Sequence, residues 1–104
     1  MGADVSPIRI AELKQGMRGL TIVGKIAQIG EVQTVMTRFG QARVAAAVLE
    51  DETGSIRLNL WRDQIDKVRV GDSVRLENAF IRMFNNQSEL NIGKDGKITV
   101  LARF

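Results

Sequence analysis

The sequence predicts an all-β domain: a small five-stranded Greek-key barrel with one short helix between its third and fourth strands. Three observations predict it. Apolar residues recur at a spacing of two in GSIRLNLW (Ile56, Leu58, Leu60) and in SVRLENAFIRMF (Val74, Leu76, then Ala79, Ile81, Met83), the period of a half-buried strand. Clusters of turn-forming residues separate the runs: Asp51-Glu52-Thr53-Gly54, Gly71-Asp72 and Asn85-Asn86-Gln87. Only one internal stretch, Arg62 to about Val68, suits a helix, and it is one or two turns long. With 104 residues, 44% of them apolar, the chain is sized for one domain with a modest core.

The elements follow in order. Residues 1–8, with the sole proline at Pro7, read as a flexible arm, and residues 9–104 as a single domain. Residues 9–19 form either one helical turn or an extended lead-in, stopped by Gly16 and Gly19. From Leu20 to about Val35 the chain is rich in Ile, Val and Thr, with Gly24 and Gly30 inside. The simplest reading is one long strand that coils, the glycines marking a bulge or bend. Thr37 to Gln41 is a hairpin loop. A second strand follows with Val44, Ala46 and Val48 expected inward and Arg43, Ala45 and Ala47 outward; its alanines leave room for a ligand or for close packing. In the next turn Gly54 is free to take positive φ, and Ser55 to Trp61 is the third strand.

The fourth strand spans Ser73 to Phe84. Its apolar parity switches after Leu76, which requires a bulge near Glu77-Asn78 if both sets face one core. Asn85 to Gln87 is a tight hairpin leading to a fifth strand with Leu90 and Ile92 inward, and a further short strand runs from Ile98 to about Leu101. Met17, Met36 and Met83 read as apolar gap-fillers. Together these features describe an OB-fold, whose strand 2–3 face and 1–2 and 4–5 loops bind oligonucleotides or oligosaccharides. Here the first of those loops holds Arg38 and Phe39, and the second is Asn85 to Gln87.

Function is suggested by where the five large aromatics fall. Trp61 shares strand parity with Arg57 and Asn59, and Phe80 and Phe84 share parity with Arg82. Aromatics interleaved with arginines suit stacking on unpaired bases while neutralising the phosphates between them. The competing reading makes Trp61 a core residue capping the barrel and turns the even set from Val74 to Phe84 inward. Phe39, at a hairpin tip, is a loop wedge against bases or a loop anchor; Phe104 is terminal packing. Lys+Arg exceeds Asp+Glu by 15 to 12, a net charge of +3, which allows a polyanionic partner without requiring one. Ten of the fifteen basic residues are Arg, whose planar fork both binds phosphate and stacks; heat tolerance is the plainer explanation.

The absence of Cys and His excludes disulfides, Cys/His zinc sites and imidazole chemistry. The run Glu50-Asp51-Glu52 reads as a solvated turn and not a metal site. No nucleophile–base pair or phosphate-binding glycine loop is present, so the expectation is no enzyme, no metal and no cofactor. The N-terminus is not a secretory signal and no stretch is apolar enough to span a membrane. The expectation is a soluble intracellular protein, in the cytoplasm or nucleoid, or the nucleus of a eukaryote.

The segment LEDETGSIRLNLWRD, followed by GDSVRLENAFIRMFNNQSELNIG, resembles the simple single-stranded DNA-binding proteins of archaea and the OB domains of replication protein A. The shared pattern runs D-x-T-G, a strand ending in Leu-Trp, then G-D-x-V-x-L-x-N-A-aromatic and a Phe a few residues on. The opening I-x-x-L-x-x-G-M fits too, and the likeness covers roughly residues 9–95. It implies base stacking on Trp61, Phe80 and Phe84, and backbone or polar contacts from Arg43, Arg57 and Arg82, with Arg38, Asn59 and Asn91 as further candidates. Some relatives carry an aromatic where this chain has Asn91, so a fourth stacking platform is missing, and a partner-recruiting C-terminal tail is not evident. The implied function is non-sequence-specific binding of single-stranded DNA in replication, recombination or repair, with replication or repair proteins as further partners; the oligomeric state stays open, with a monomer favoured. The alternatives are an RNA-binding module and a protein-interaction subunit of a replication or repair complex.

Overall fold

Period-two alternation becomes strand throughout the chain. The computed structural model describes residues 7–103. After a 3₁₀ turn (Ile10–Glu12) come β1 (Leu20–Ile29), β2 (Gln33–Thr37), β3 (Gly40–Asp51), β4 (Gly54–Trp61), α1 (Gln64–Lys67), β5 (Ser73–Phe84) and β6 (Gln87–Ala102). The strands pair in the order β1-β5-β6-β4-β3-β2, and a further β1–β3 pairing closes five of them into a ring. All pairings are antiparallel except β4–β6, where Arg57 faces Glu89 and Leu58 faces Leu90 in parallel. The fold is therefore the expected OB barrel, with β2 lying outside the ring as one arm of the β2–β3 hairpin. Residues 1–6 of the expected arm, and Phe104, lie outside the described residues. Ile8 is already docked, its N–H donating to the Thr21 carbonyl at 3.0 Å.

Closure depends on β1 serving two neighbours. It pairs with β5 from Leu20 to Lys25 and with β3 from Lys25 to Ile29, so it must coil between them. Gly24 makes the bend possible: a Cβ there would stand 2.8 Å from the Glu50 carbonyl oxygen. The expected single strand from Leu20 to Val35 is interrupted after Ile29, because the chain leaves the ring there and β2 pairs with β3 alone, Gln33 opposite Val44.

The core is made by Ile22, Ile26, Leu49, Leu58, Leu60, Val74, Leu76 and Leu90, all fully buried. Both apolar sets of β5 face it, because Asn78 takes φ +56 and the register with β6 slips between Glu77 and Ala79. The bulge is where the parity switch required it. On β3 the expected parity is reversed: Ala45, Ala47 and Leu49 point inward, whereas Val44, Ala46 and Val48 are only half-buried on the outer face. Small side chains fit the interior where β1 crosses close to β3, Ile29 opposite Ala47. Met36 is likewise exposed and not a gap-filler. The expected tail strand is the continuation of β6, which carries the extra residues Gly93–Gly96 opposite Asn78. A Cβ at Gly96 would meet the Ile92 side chain at 2.6 Å.

Two carboxylates hold the turns. Gly54 does not take positive φ; Asp51 secures that turn instead, accepting from the N–H groups of Thr53 (2.7 Å), Gly54 (3.1 Å) and distant Ile10 (2.9 Å). Asp72, almost fully buried, accepts from Arg103 at 3.0 and 3.1 Å and from the Arg69 N–H at 2.8 Å. Arg103 is the main cause holding the Asp72 carboxyl below 3.8, against the opposing effect of burial. At Asp51 burial is the largest single influence and raises the pKa, but the Thr53 hydroxyl and the three N–H donors together outweigh it and lower it. A depressed native pKa contributes stability that is present above the unfolded pKa and lost as pH falls through the native one. The urea midpoint should therefore hold steady from neutral pH down to about 5 and fall below about 4. Asp72→Asn should be less stable at neutral pH and show a shallower acid decline.

Candidate nucleic-acid interface

The outer face of β3, β4, β6 and β5 is built by alternation from the same strands that make the core. Across it, Val44 lies opposite Trp61, Ala46 opposite Asn59 and Val48 opposite Arg57. On the other side Asn91 lies opposite Phe80, Glu89 opposite Arg82 and Gln87 opposite Phe84. Trp61 is the last residue of β4. Arg62, at φ +53, then turns the chain away, and the Trp61 N–H donates to the Gln64 side chain at 2.8 Å. The β5–β6 hairpin turns on Asn85 and Asn86, both left-handed (φ +50 and +64), which is the two-residue turn whose twist matches the flanking strands. It presents Phe84, 58% exposed, at the edge of the face.

A groove of about 300 Å³ runs over this face. Trp61, Phe84, Arg57 and Arg82 line it, Asn59, Glu89 and Asn91 form its polar lining, and Gln33, Val35 and Val44 close the side nearest the β2–β3 hairpin. Phe80, half-buried, has the same parity but borders an adjoining hollow with Arg18, Gly19 and Asn78. A further hollow beside Trp61 is lined by Arg62, Lys67 and Lys94.

Beneath the aromatics lies a hydrogen-bonded polar layer. The Arg57 Nε–H donates to Asn59 Oδ1 at 3.0 Å, and Asn59 Nδ2 donates to Glu89 Oε1 at 2.9 Å and to Asn91 Oδ1 at 3.3 Å. The Trp61 indole N–H also donates to Asn91 Oδ1, at 3.3 Å, which fixes the ring's orientation. Arg57 lies 3.5 Å from Glu89 Oε2, so part of its charge is already balanced. Arg82 makes no ion pair among the described residues and is exposed.

The candidate residues thus separate. Trp61, Phe84, Arg57, Asn59, Arg82 and Asn91 meet in one groove, with Phe80 next to it. Arg38 and Phe39 (85% exposed) occupy the β2–β3 hairpin tip and do not line the groove. Arg43 shares parity with Ala45 and Ala47, away from Trp61, and pairs with Asp66 at 3.2 Å. Glu89 escapes the sequence reading, although its parity with Asn91 is a usable signal. Gln33, Val35 and Val44 escape it too. Among the described residues no cluster of three potential metal ligands occurs, and no helix is long and apolar enough to cross a membrane.

Comparison with known proteins agrees with this architecture. The sequence model of the "Single-stranded DNA binding protein Ssb-like, OB fold" family matches residues 13–100. The chain is 29% identical over 90 residues to the single-stranded DNA binding protein Ssb of Saccharolobus solfataricus, covering 86% of this chain and 61% of that protein. It is 33% identical over 90 residues to replication factor A of Methanothermobacter thermautotrophicus, covering 86% of this chain but only 11% of that protein. It therefore spans less than two thirds of either relative. The solution structure of an OB domain from Thermoplasma acidophilum superposes with a TM-score of 0.80 at 23% identity, covering 93% of this chain and 88% of that one.

Proposed function

The chain belongs to the single-stranded DNA-binding Ssb-like OB-fold family, and from that membership we propose that it binds single-stranded DNA by stacking unpaired bases on Trp61, Phe84 and Phe80. The observation that carries the reading is the juxtaposition of Trp61 and Phe84 with Arg57 and Arg82 around one open groove. A base laid on an aromatic ring there leaves its phosphate within reach of a guanidinium. Arg82, unpaired within the described residues, is the strongest phosphate contact, and Arg57 keeps its terminal NH₂ groups for the same purpose while its Nε is held by Asn59. Arg38 and Phe39 add contacts from the hairpin tip once a strand lies across the face.

One domain of this kind occupies ~4–6 nucleotides, and its part is to cover exposed single strands during replication, recombination or repair. In duplex DNA the base faces are already stacked on each other and cannot reach the rings. Short oligothymidine should accordingly bind at least about tenfold more tightly than a duplex of equal length, since ~1–3 kcal/mol of stacking per base is available only to the single strand. Equal affinities in an equilibrium titration would reject base stacking in favour of backbone attraction alone.

A further inference from the structure

Resting on that reading, we propose that the groove discriminates between bases. Glu89 and Asn91 form an acceptor–donor pair that favours a base bearing an exocyclic amino group, cytosine above all, over thymine.

Glu89 and Asn91 are more than nine-tenths buried, at 6% and 7% exposure, yet both line the groove. Their hydrogen bonds assign the amide orientations. An indole N–H can only donate, so the Asn91 atom facing Trp61 Nε1 at 3.3 Å must be its oxygen, and Asn59 Nδ2 converges on that oxygen as well. An arginine can only donate too, which sets Asn59 Oδ1 toward Arg57 and Asn59 Nδ2 toward Glu89. The far end of Asn91 is therefore Nδ2, and it has no partner among the described residues. A buried amide donor left without an acceptor is costly and is rare in native proteins unless something else satisfies it. Two positions before it on the same face of β6, Glu89 uses Oε1 for Asn59, while Oε2 has only the long 3.5 Å approach of Arg57. An ionised carboxylate accepts about four hydrogen bonds, so this one retains capacity.

An acceptor beside a donor is complementary to an amino group beside a ring nitrogen. Cytosine presents that pair as N4 and N3, and a carboxylate accepting from cytosine N4 is an established base contact. Adenine offers the same pair on a larger ring. Thymine offers one N–H between two carbonyl oxygens, which would turn their lone pairs toward the carboxylate. Cytosine and thymine are alike in size, so stacking on Trp61 or Phe84 largely cancels between them and the edge contact decides.

The test compares affinities for oligocytidine and oligothymidine deoxynucleotides about six residues long, using the wild-type protein and Glu89→Gln. Wild type should bind the cytosine strand about tenfold more tightly, the scale of one good base contact. In the variant the glutamine oxygen can still accept from Asn59, but the negative charge is gone. In that variant the cytosine preference should fall to about twofold or less. Equal wild-type affinities, or a preference unchanged by Glu89→Gln, would overturn the assignment. If both strands bind equally and Trp61→Ala weakens both, the stacking reading stands and only the base readout fails. If neither strand binds, both fall together.

Discussion

Replacing Trp61 by alanine is expected to weaken binding of short oligothymidine by about 2–3 kcal/mol, some 30- to 150-fold, while the barrel stays folded. The size follows from the upper half of the range for one base stacked on an aromatic ring, because an indole offers the largest face. The fold should tolerate the change. Trp61 is only half-buried at the end of β4, and the interior layer beside it is supplied by Leu58 and Leu60. The truncation also removes the indole donor to Asn91, loosening the polar layer under the groove. Trp61→Phe keeps most of the stacking surface but loses that donor, and should fall between wild type and alanine. Anisotropy of a labelled oligomer reads all three proteins alike. Wild-type affinity in Trp61→Ala would remove the groove from the binding site.

Salt should have an equally large effect. If three to four phosphates are neutralised at roughly −0.7 per contact, the log–log slope of affinity against salt is about −2 to −3, so a tenfold rise in salt lowers affinity about 100- to 1,000-fold. The arginines should not contribute equally. Arg82 makes no ion pair within the described residues, and Arg82→Ala should make the slope shallower by about 0.7. Arg43 is paired with Asp66 on the other side of β3, and Arg43→Ala should leave the slope unchanged. Titrations of wild type and both variants across a salt series decide this; equal slopes for wild type and Arg82→Ala would remove Arg82 from the phosphate path.

What is legible in the sequence, and what is not, divides along physical lines. β4 and β5 can be read because Ile56, Leu58, Leu60 and Val74, Leu76, Ala79, Ile81 alternate with polar residues, and one missed beat marks the bulge at Asn78. The same alternation puts Trp61, Phe80 and Phe84 opposite the core side chains. β3 misleads because nearly all its candidates are small or β-branched. Valine outweighs alanine as an apolar signal, although Leu49, in register with Ala45 and Ala47, carries the correct parity. The end of β1 depends on which neighbour the chain pairs with after Ile29, a long-range matter that Gly30 hints at but does not specify. The floor of the groove is hardest to see. A glutamate between Ser88 and Leu90 reads as solvent-facing until the parallel β4–β6 pairing brings Asn59 across to it.

Whether unpaired bases stack on the face carrying Trp61 can be read from the emission of that residue, the only tryptophan in the chain, during titration with short oligothymidine and then with duplex of equal length. Stacking requires strong quenching by the single strand that saturates at ~4–6 nucleotides per protein, and little change with the duplex. Unchanged emission while the single strand is demonstrably bound would contradict it and move the DNA to another surface.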